Sequence, residues 1–149
     1  MPTVFDVATY ILEKQGPMTA MKLQKLVYYS QAWSLVWDDA PLFPEKIKAW
    51  ANGPVCPDLY QEHKGLFTVN AIGRGSSAVL QPGQRETIDV VLAFYGNKTA
   101  QWLSDLTHAE PPWRDARGNL APHERASVEI PHSAMAEYYG SLDDSLDAD

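Results

Sequence analysis

Met18-Thr19-Ala20-Met21-Lys22-Leu23-Gln24-Lys25-Leu26-Val27-Tyr28-Tyr29-Ser30-Gln31-Ala32-Trp33-Ser34-Leu35-Val36-Trp37 is the stretch that decides how this chain folds. Thr19 is placed to cap a helix, since its hydroxyl accepts a hydrogen bond from one of the free amides of the first turn. Met18 before it and Leu23 at the fourth helical position can form a hydrophobic staple that sets the entry angle. Leu23, Leu26, Val27, Tyr29, Trp33 and Val36 then cover more of the helix than one stripe. A helix apolar on most sides is buried on most sides. This segment, running to about Trp37, is expected at the centre of its domain.

Upstream, Thr3 caps a first helix, with Asp6 completing a variant of the capping box. Val4, Val7, Ala8 and Ile11 give that helix one buried face, and Gly16-Pro17 ends it. Downstream, Asp38-Asp39-Ala40-Pro41 breaks the helical pattern. Ile47-Lys48-Ala49-Trp50 is a short strand or a helical turn, too short for periodicity to decide. Asn52-Gly53-Pro54 reads as a turn, and Pro57 opens a helix through about His63, closed by Gly65. Phe67, Val69 and Ala71 alternate with polar neighbours, and Gly73-Arg74-Gly75-Ser76-Ser77 leads into Ala78-Val79-Leu80; the pattern predicts a β-hairpin over 66–83. Pro82-Gly83 starts a helix with Ile88, Val91, Leu92 and Tyr95 on one face, stopped by Gly96. Asn97 is expected to cap a short helix with Trp102, Leu103 and Leu106 inward. Pro111-Pro112 begins a helical turn around Trp113, closed by Gly118. Val128-Glu129-Ile130 is a candidate strand, and Pro131 opens a last helix lined by Met135, Tyr138, Tyr139 and Leu142. The expected fold is mainly α (α+β), a compact single-domain helical bundle of about six helices with a small β-hairpin or sheet element.

At 149 residues the chain has the length of one domain. Its 45% hydrophobic and 21% charged residues are those of an ordinary globular protein. No apolar run approaches the roughly 18–20 residues of a membrane helix, so no membrane partner is expected. The N-terminal residues lack the basic and apolar regions of a signal peptide. Cys56 is the single cysteine and has no internal disulfide partner. These features point to the cytoplasm. The formal charge is −7, and the four aspartates of residues 143–149 supply four of those charges, leaving −3 for the rest. An acidic body disfavours nucleic acid, whose binding depends on many Lys and Arg contacts to phosphate. The terminal segment, 143–149, reads as a flexible acidic tail, with docking to a basic partner as the alternative.

Catalytic patterns are sparse. The four histidines, His63, His108, His123 and His132, form no HExxH pair, and one cysteine gives no zinc-finger spacing. His108 with Glu110 is a possible metal edge, although a hydrogen-bonded structural histidine is the commoner reading. Cys56 flanked by Val55 and Pro57 reads as a small residue packed at a helix start rather than a nucleophile. Gly73-Arg74-Gly75 lacks the glycine spacing and lysine of a phosphate loop and reads as a turn. No catalytic residue, cofactor site or metal site is therefore assigned. The first two helices resemble a helix-turn-helix that would present Met21, Lys22, Gln24 and Lys25 to a DNA groove. A plain αα-hairpin is the simpler reading, because so few lysines attract phosphate weakly. Five Trp and seven Tyr supply rigid anchors of the kind that dominate binding hot spots, even though Trp33, Trp50, Trp102 and Trp113 sit in patterns expected of packing.

Several separated segments together resemble one family. They are Met21 to Trp33; Ile47-Lys48-Ala49-Trp50-Ala51-Asn52-Gly53-Pro54-Val55 with Leu59-Tyr60; Tyr95-Gly96; Trp102 to Trp113 with Ala116-Arg117; and Ile130-Pro131 with Tyr138-Tyr139. As a set they look like the Panacea domain, the SocA-like antitoxin family that also includes phage-associated GepA-like proteins. On this resemblance the domain spans residues 3–142. The resemblance implies an antitoxin encoded beside a toxin gene, acting by direct protein–protein binding to that toxin. It also implies that some members deliver the toxin to a cellular AAA+ protease as adaptors. Lys22, Gln24, Lys25, Thr107, His108 and Arg117 are the polar members of the matching segments. With Trp113 they are expected to form one polar cluster, either a recognition surface or buried bracing of the two segments. The alternatives to the antitoxin are a DNA-binding regulator using the first two helices and a hydrolase using Cys56 or His108.

Overall fold

The computed structural model describes residues 1–147, with side chains through Asp144. Its helices are α1 (Val4–Gln15), α2 (Ala20–Trp37), α3 (Pro57–His63), α4 (Pro82–Tyr95), α5 (Ala100–Ala109), α6 (Pro111–Arg117) and α7 (His132–Asp147). Five short strands accompany them: β1 (Met18–Thr19), β2 (Lys48–Trp50), β3 (Gly53–Val55), β4 (Thr68–Val69) and β5 (Val128–Glu129). The architecture is mainly α with a small β element.

Local signals place most of the helix ends. Thr3 Oγ1 accepts from the Asp6 amide at 3.3 Å, and the Thr3 amide donates to Asp6 Oδ2 at 2.8 Å, closing the capping box. Thr19 Oγ1 accepts from the Lys22 amide, and Pro57 opens α3 where its missing N–H costs nothing. The acidic terminal segment begins inside a helix: α7 continues to Asp147, and Trp37 Nε1 donates to Asp143 Oδ1 at 3.3 Å. Residues 148–149 lie outside the described residues. No helix among the described residues is long and apolar enough to cross a membrane.

α2 is the axis. Every residue from Leu23 to Ser34 is buried, with α1, α4, α5 and α7 packed around it. Its buried polar groups are all partnered, as burial demands. Gln31 uses both ends of its amide, donating to the Phe43 carbonyl at 2.8 Å and accepting from the Leu42 amide at 2.7 Å. Ser34 Oγ donates to the Ala40 carbonyl. Tyr29 stacks on Tyr95 with ring centroids 4.1 Å apart, and Trp33 Nε1 donates to the Tyr95 hydroxyl. Where α5 ends and α6 begins, the buried Glu110 accepts from Tyr29 at 2.7 Å and from Tyr139 at 2.8 Å, both on Oε1. The Tyr139 proton is thereby committed, so Tyr28 donates to the Tyr139 hydroxyl at 3.0 Å.

Three expectations need correction. Residues 66–83 form no hairpin of their own: β4 pairs antiparallel with β1, Met18 opposite Val69, and residues Ser77–Val79 make a 3₁₀ turn. Asp6 is the cause at one end, since its Oδ1 accepts from the Ser76 amide at 2.7 Å and holds the 73–76 turn on α1. Gly75 fits there because its φ is +95° and a Cβ would lie 2.6 Å from the Phe5 carbonyl carbon. The hairpin lies elsewhere, as β2 and β3 joined by Ala51-Asn52, with β5 on the other edge of β2. Thr99, not Asn97, caps α5 through the Trp102 amide. That cap sets the phase of α5: Leu103, Ser104 and Thr107 face inward and Trp102 is 42% exposed.

Burial raises the Glu110 carboxyl above its ordinary range, with the two tyrosine hydrogen bonds opposing the shift. The folded state therefore holds that proton more tightly, and the protein loses stability as pH rises from the ordinary carboxylate range toward neutrality. Glu110→Gln keeps an acceptor for both hydroxyls, and urea melts are expected to show the part of that pH slope due to Glu110 gone. Glu110→Ala orphans two buried hydroxyls and is expected to cost about 3 kcal/mol.

Candidate functional site

All but one of the polar residues picked out in the sequence fall into two groups around the β2–β3 turn. Lys25 is 1% exposed. It rises from α2 beneath Gly53 and donates to the Pro54 carbonyl at 3.4 Å. The fit requires a glycine: a Cβ on Gly53, whose φ is +122°, would sit 2.6 Å from Lys25 Cε and 3.3 Å from Thr107 Oγ1. Thr107 donates to the Ser104 carbonyl at 2.8 Å, and Ser104 Oγ reaches the Asn52 carbonyl. His108 stacks on Trp113, with centroids 4.2 Å apart. Trp113 Nε1 donates to the Trp50 carbonyl at 2.8 Å, and the Arg117 guanidinium lies 5.6 Å from the Trp113 ring. Lys25, Thr107, His108, Trp113 and Arg117 thus form one connected cluster behind the turn.

Gln24 points to the other side. Its Oε1 accepts from the Cys56 amide at 2.9 Å, and its Nε2 donates to the Cys56 carbonyl at 3.3 Å with His63 Nε2 3.0 Å away. It clamps the start of α3. Lys22 joins neither group and stays half-buried on α2. A DNA-reading helix needs its contact residues in the open, whereas Gln24 and Lys25 are both buried.

The electrostatics follow from burial. Lys25 is lowered from 10.5 to about 8 by desolvation, with no carboxylate in salt-bridge range among the described residues. His108 is lowered by desolvation first and then by the Lys25 charge. Its Nε2 is the one fully buried side-chain polar atom without a partner among the described residues. Desolvation also lowers His63. Burial pushes the Cys56 thiol up to about 12, so it is protonated at neutral pH and a poor nucleophile. No three His, Cys, Asp or Glu residues among those described stand together to hold a metal ion.

Between these groups lies an open groove of about 750 Å³. Lys25 and Gln24 lie along one side, Trp50 and Asn52 come from the turn, Tyr60 and His63 from α3, and Arg125 to Ser127 from the loop before β5. Tyr60 meets Trp50 edge-on at 5.2 Å. Of the residues singled out in the sequence for contact with a partner, Met21, Gln24 and Lys25 line this groove; Tyr60 and His63 were named there without such a role, and Arg125 was not named. Trp50 and Asn52 were quoted only as members of a strand-or-turn segment, and their placement depends on the two-residue hairpin.

The family description "Antitoxin SocA-like, Panacea domain" matches residues 23–114, about three-fifths of the chain. The matched span runs from α2 into α6 and includes both the buried cluster through Trp113 and the α2, β2–β3 and α3 sides of the groove. This chain belongs to the SocA-like antitoxin family that carries the Panacea domain. No curated protein and no solved structure matches it.

Because the folded Lys25 pKa lies below its unfolded value, the unfolded chain holds more protons between about 8 and 10.5. Stability should therefore rise with pH through that window. Lys25→Met is expected to remove the rise and, by relieving a buried unpaired charge, to add about 2 kcal/mol at neutral pH. Gly53→Ala is expected to lose about 2 kcal/mol or more from its positive φ and the clash with Lys25. Urea denaturation across pH checks both.

Proposed function

We propose that this chain is an antitoxin that acts in the cytoplasm and neutralises one toxin protein by binding it directly, without turning over a substrate. The observation that carries the reading is the family match across residues 23–114, a span that contributes most of an open, aromatic-walled groove on a rigid frame. Trp, Tyr and Arg in such a setting are the side chains that anchor protein interfaces. Groups a hydrolase would recruit are poorly placed for it: the Cys56 thiol is fully buried and held protonated by that burial, and His108 is stacked on Trp113. The finer reading is that binding also delivers the toxin to an AAA+ protease.

Co-expression with the protein encoded beside it tests the proposal. Growth should be restored and a complex should co-purify, with Cys56→Ala and His108→Ala variants as effective as the parent. Persistent arrest with no complex would reject it. A toxin half-life shortened by this chain in cells with the protease, and unchanged without it, supports delivery; equal half-lives support plain inhibition.

A further inference from the structure

The groove carries a charge pattern opposite to that of the chain. The molecule has a formal charge of −7, yet the groove is lined by the cations Lys25 and Arg125 and by no carboxylate, while desolvation keeps His63 from adding charge. A concave, partly apolar site lined by one sign of charge focuses its field. The amino end of α2, at Ala20 and Met21, adds potential of the same sign.

Neither cation is satisfied from within. Lys25 has three N–H donors and one hydrogen bond, at 3.4 Å. Arg125 is exposed and makes no hydrogen bond or ion pair among the described residues. The other arginine nearby shows what a structural guanidinium does here. Arg117, 5% exposed, donates to the carbonyls of Ala121 and Glu124 at 2.9 Å each and of Ala49 at 3.4 Å. It therefore fixes the loop that presents Arg125. On the far side, Trp50 Nε1 donates to Ser127 Oγ at 3.0 Å. The loop is pinned on both sides of Arg125, so the guanidinium is presented by an ordered segment.

The walls are apolar and adaptable. Trp50 and Tyr60 offer two ring faces, and Met21, 38% exposed, supplies a flexible thioether. A groove of about 750 Å³ lies within the range of ~300–1,000 Å³ typical of ligand sites. We propose that this groove receives an acidic segment of the toxin, with an Asp or Glu carboxylate paired to Arg125 and drawn by the buried charge of Lys25. The neighbouring apolar side chain of that segment lies against Trp50 and Tyr60. The toxin as source rests on the antitoxin reading; the preference for a carboxylate beside an apolar side chain does not.

Two measurements keep those parts separate. In the first, the full chain is titrated with three capped dipeptides, acetyl-Phe-Glu-amide, acetyl-Phe-Gln-amide and acetyl-Phe-Lys-amide, while the Trp50 indole N–H is followed by NMR. The Glu peptide should saturate that signal near about 1 mM and bind at least about tenfold tighter than the other two. Arg125→Glu should shift the preference to the Lys peptide, with the thermal midpoint unchanged because Arg125 is exposed. Equal binding of the three, no movement at Trp50, or tighter binding of adenosine monophosphate than of the Glu peptide overturns the groove's assignment. In the second, the toxin is captured by the parent, by Arg125→Glu and by Met21→Asp. Both variants should lose at least about tenfold in affinity. Capture undiminished in both variants removes the toxin from the groove and leaves the antitoxin reading standing. Failure of the parent to capture the toxin defeats the antitoxin reading, while the peptides still decide what the groove binds.

Discussion

The fold depends on one buried carboxylate and the hydroxyls that turn toward it. Glu110 sits where α5 ends and α6 begins. Tyr29 of α2 and Tyr139 of α7 both donate to it, and Tyr28 donates to Tyr139. Inside a protein a satisfied hydrogen-bond network fixes one arrangement of its members. Here the network ties the central helix to the last one through a junction that would otherwise be a loose connection. The stacked Tyr29–Tyr95 pair extends the tie to α4. A core of aliphatic side chains alone would hold these helices together with less control over their register.

The same logic governs the region behind the hairpin, with the signs reversed. Lys25 and Arg117 are buried cations held by backbone carbonyls rather than by carboxylates. Carbonyl dipoles partly offset the desolvation of a charge without neutralising it. The result is a rigid, positively biased frame under β2 and β3, and the groove is its outer face. Positioning and electrostatic bias come from one set of residues, so the groove is formed before any partner arrives. A preformed site avoids part of the ordering cost of association.

Much of this was legible in the sequence. The capping box at Thr3 and Asp6, the Thr19 cap, the Gly16 stop and the unusually broad apolar surface of α2 are local signals, and each is found in the structure where the sequence placed it. The failures share a cause. Val69 alternates with polar neighbours like a strand, but its partner is Met18, far away in the chain and invisible to a local pattern. Asn97 and Thr99 are both good caps, and choosing between them set the facing of Trp102. Polar residues chosen for the site shared helices rather than surfaces: Lys25 is buried beneath Gly53, while Lys22, three residues earlier, is half-buried and joins neither group. Arg125 and His63 could not be found by spacing at all, because the groove exists only once the hairpin, α3 and the 121–127 loop converge.

The central claim is that a braced core presents a ready-made groove to a protein partner. Amide hydrogen exchange of this chain, alone and bound to the protein encoded beside it, tests that claim most directly. The account predicts new protection confined to the β2–β3 turn, α3 and residues 125–127, with α2 amides equally slow in both states. Protection spread over α4 and α7 with the groove unchanged, or α2 amides that slow only on binding, would contradict it.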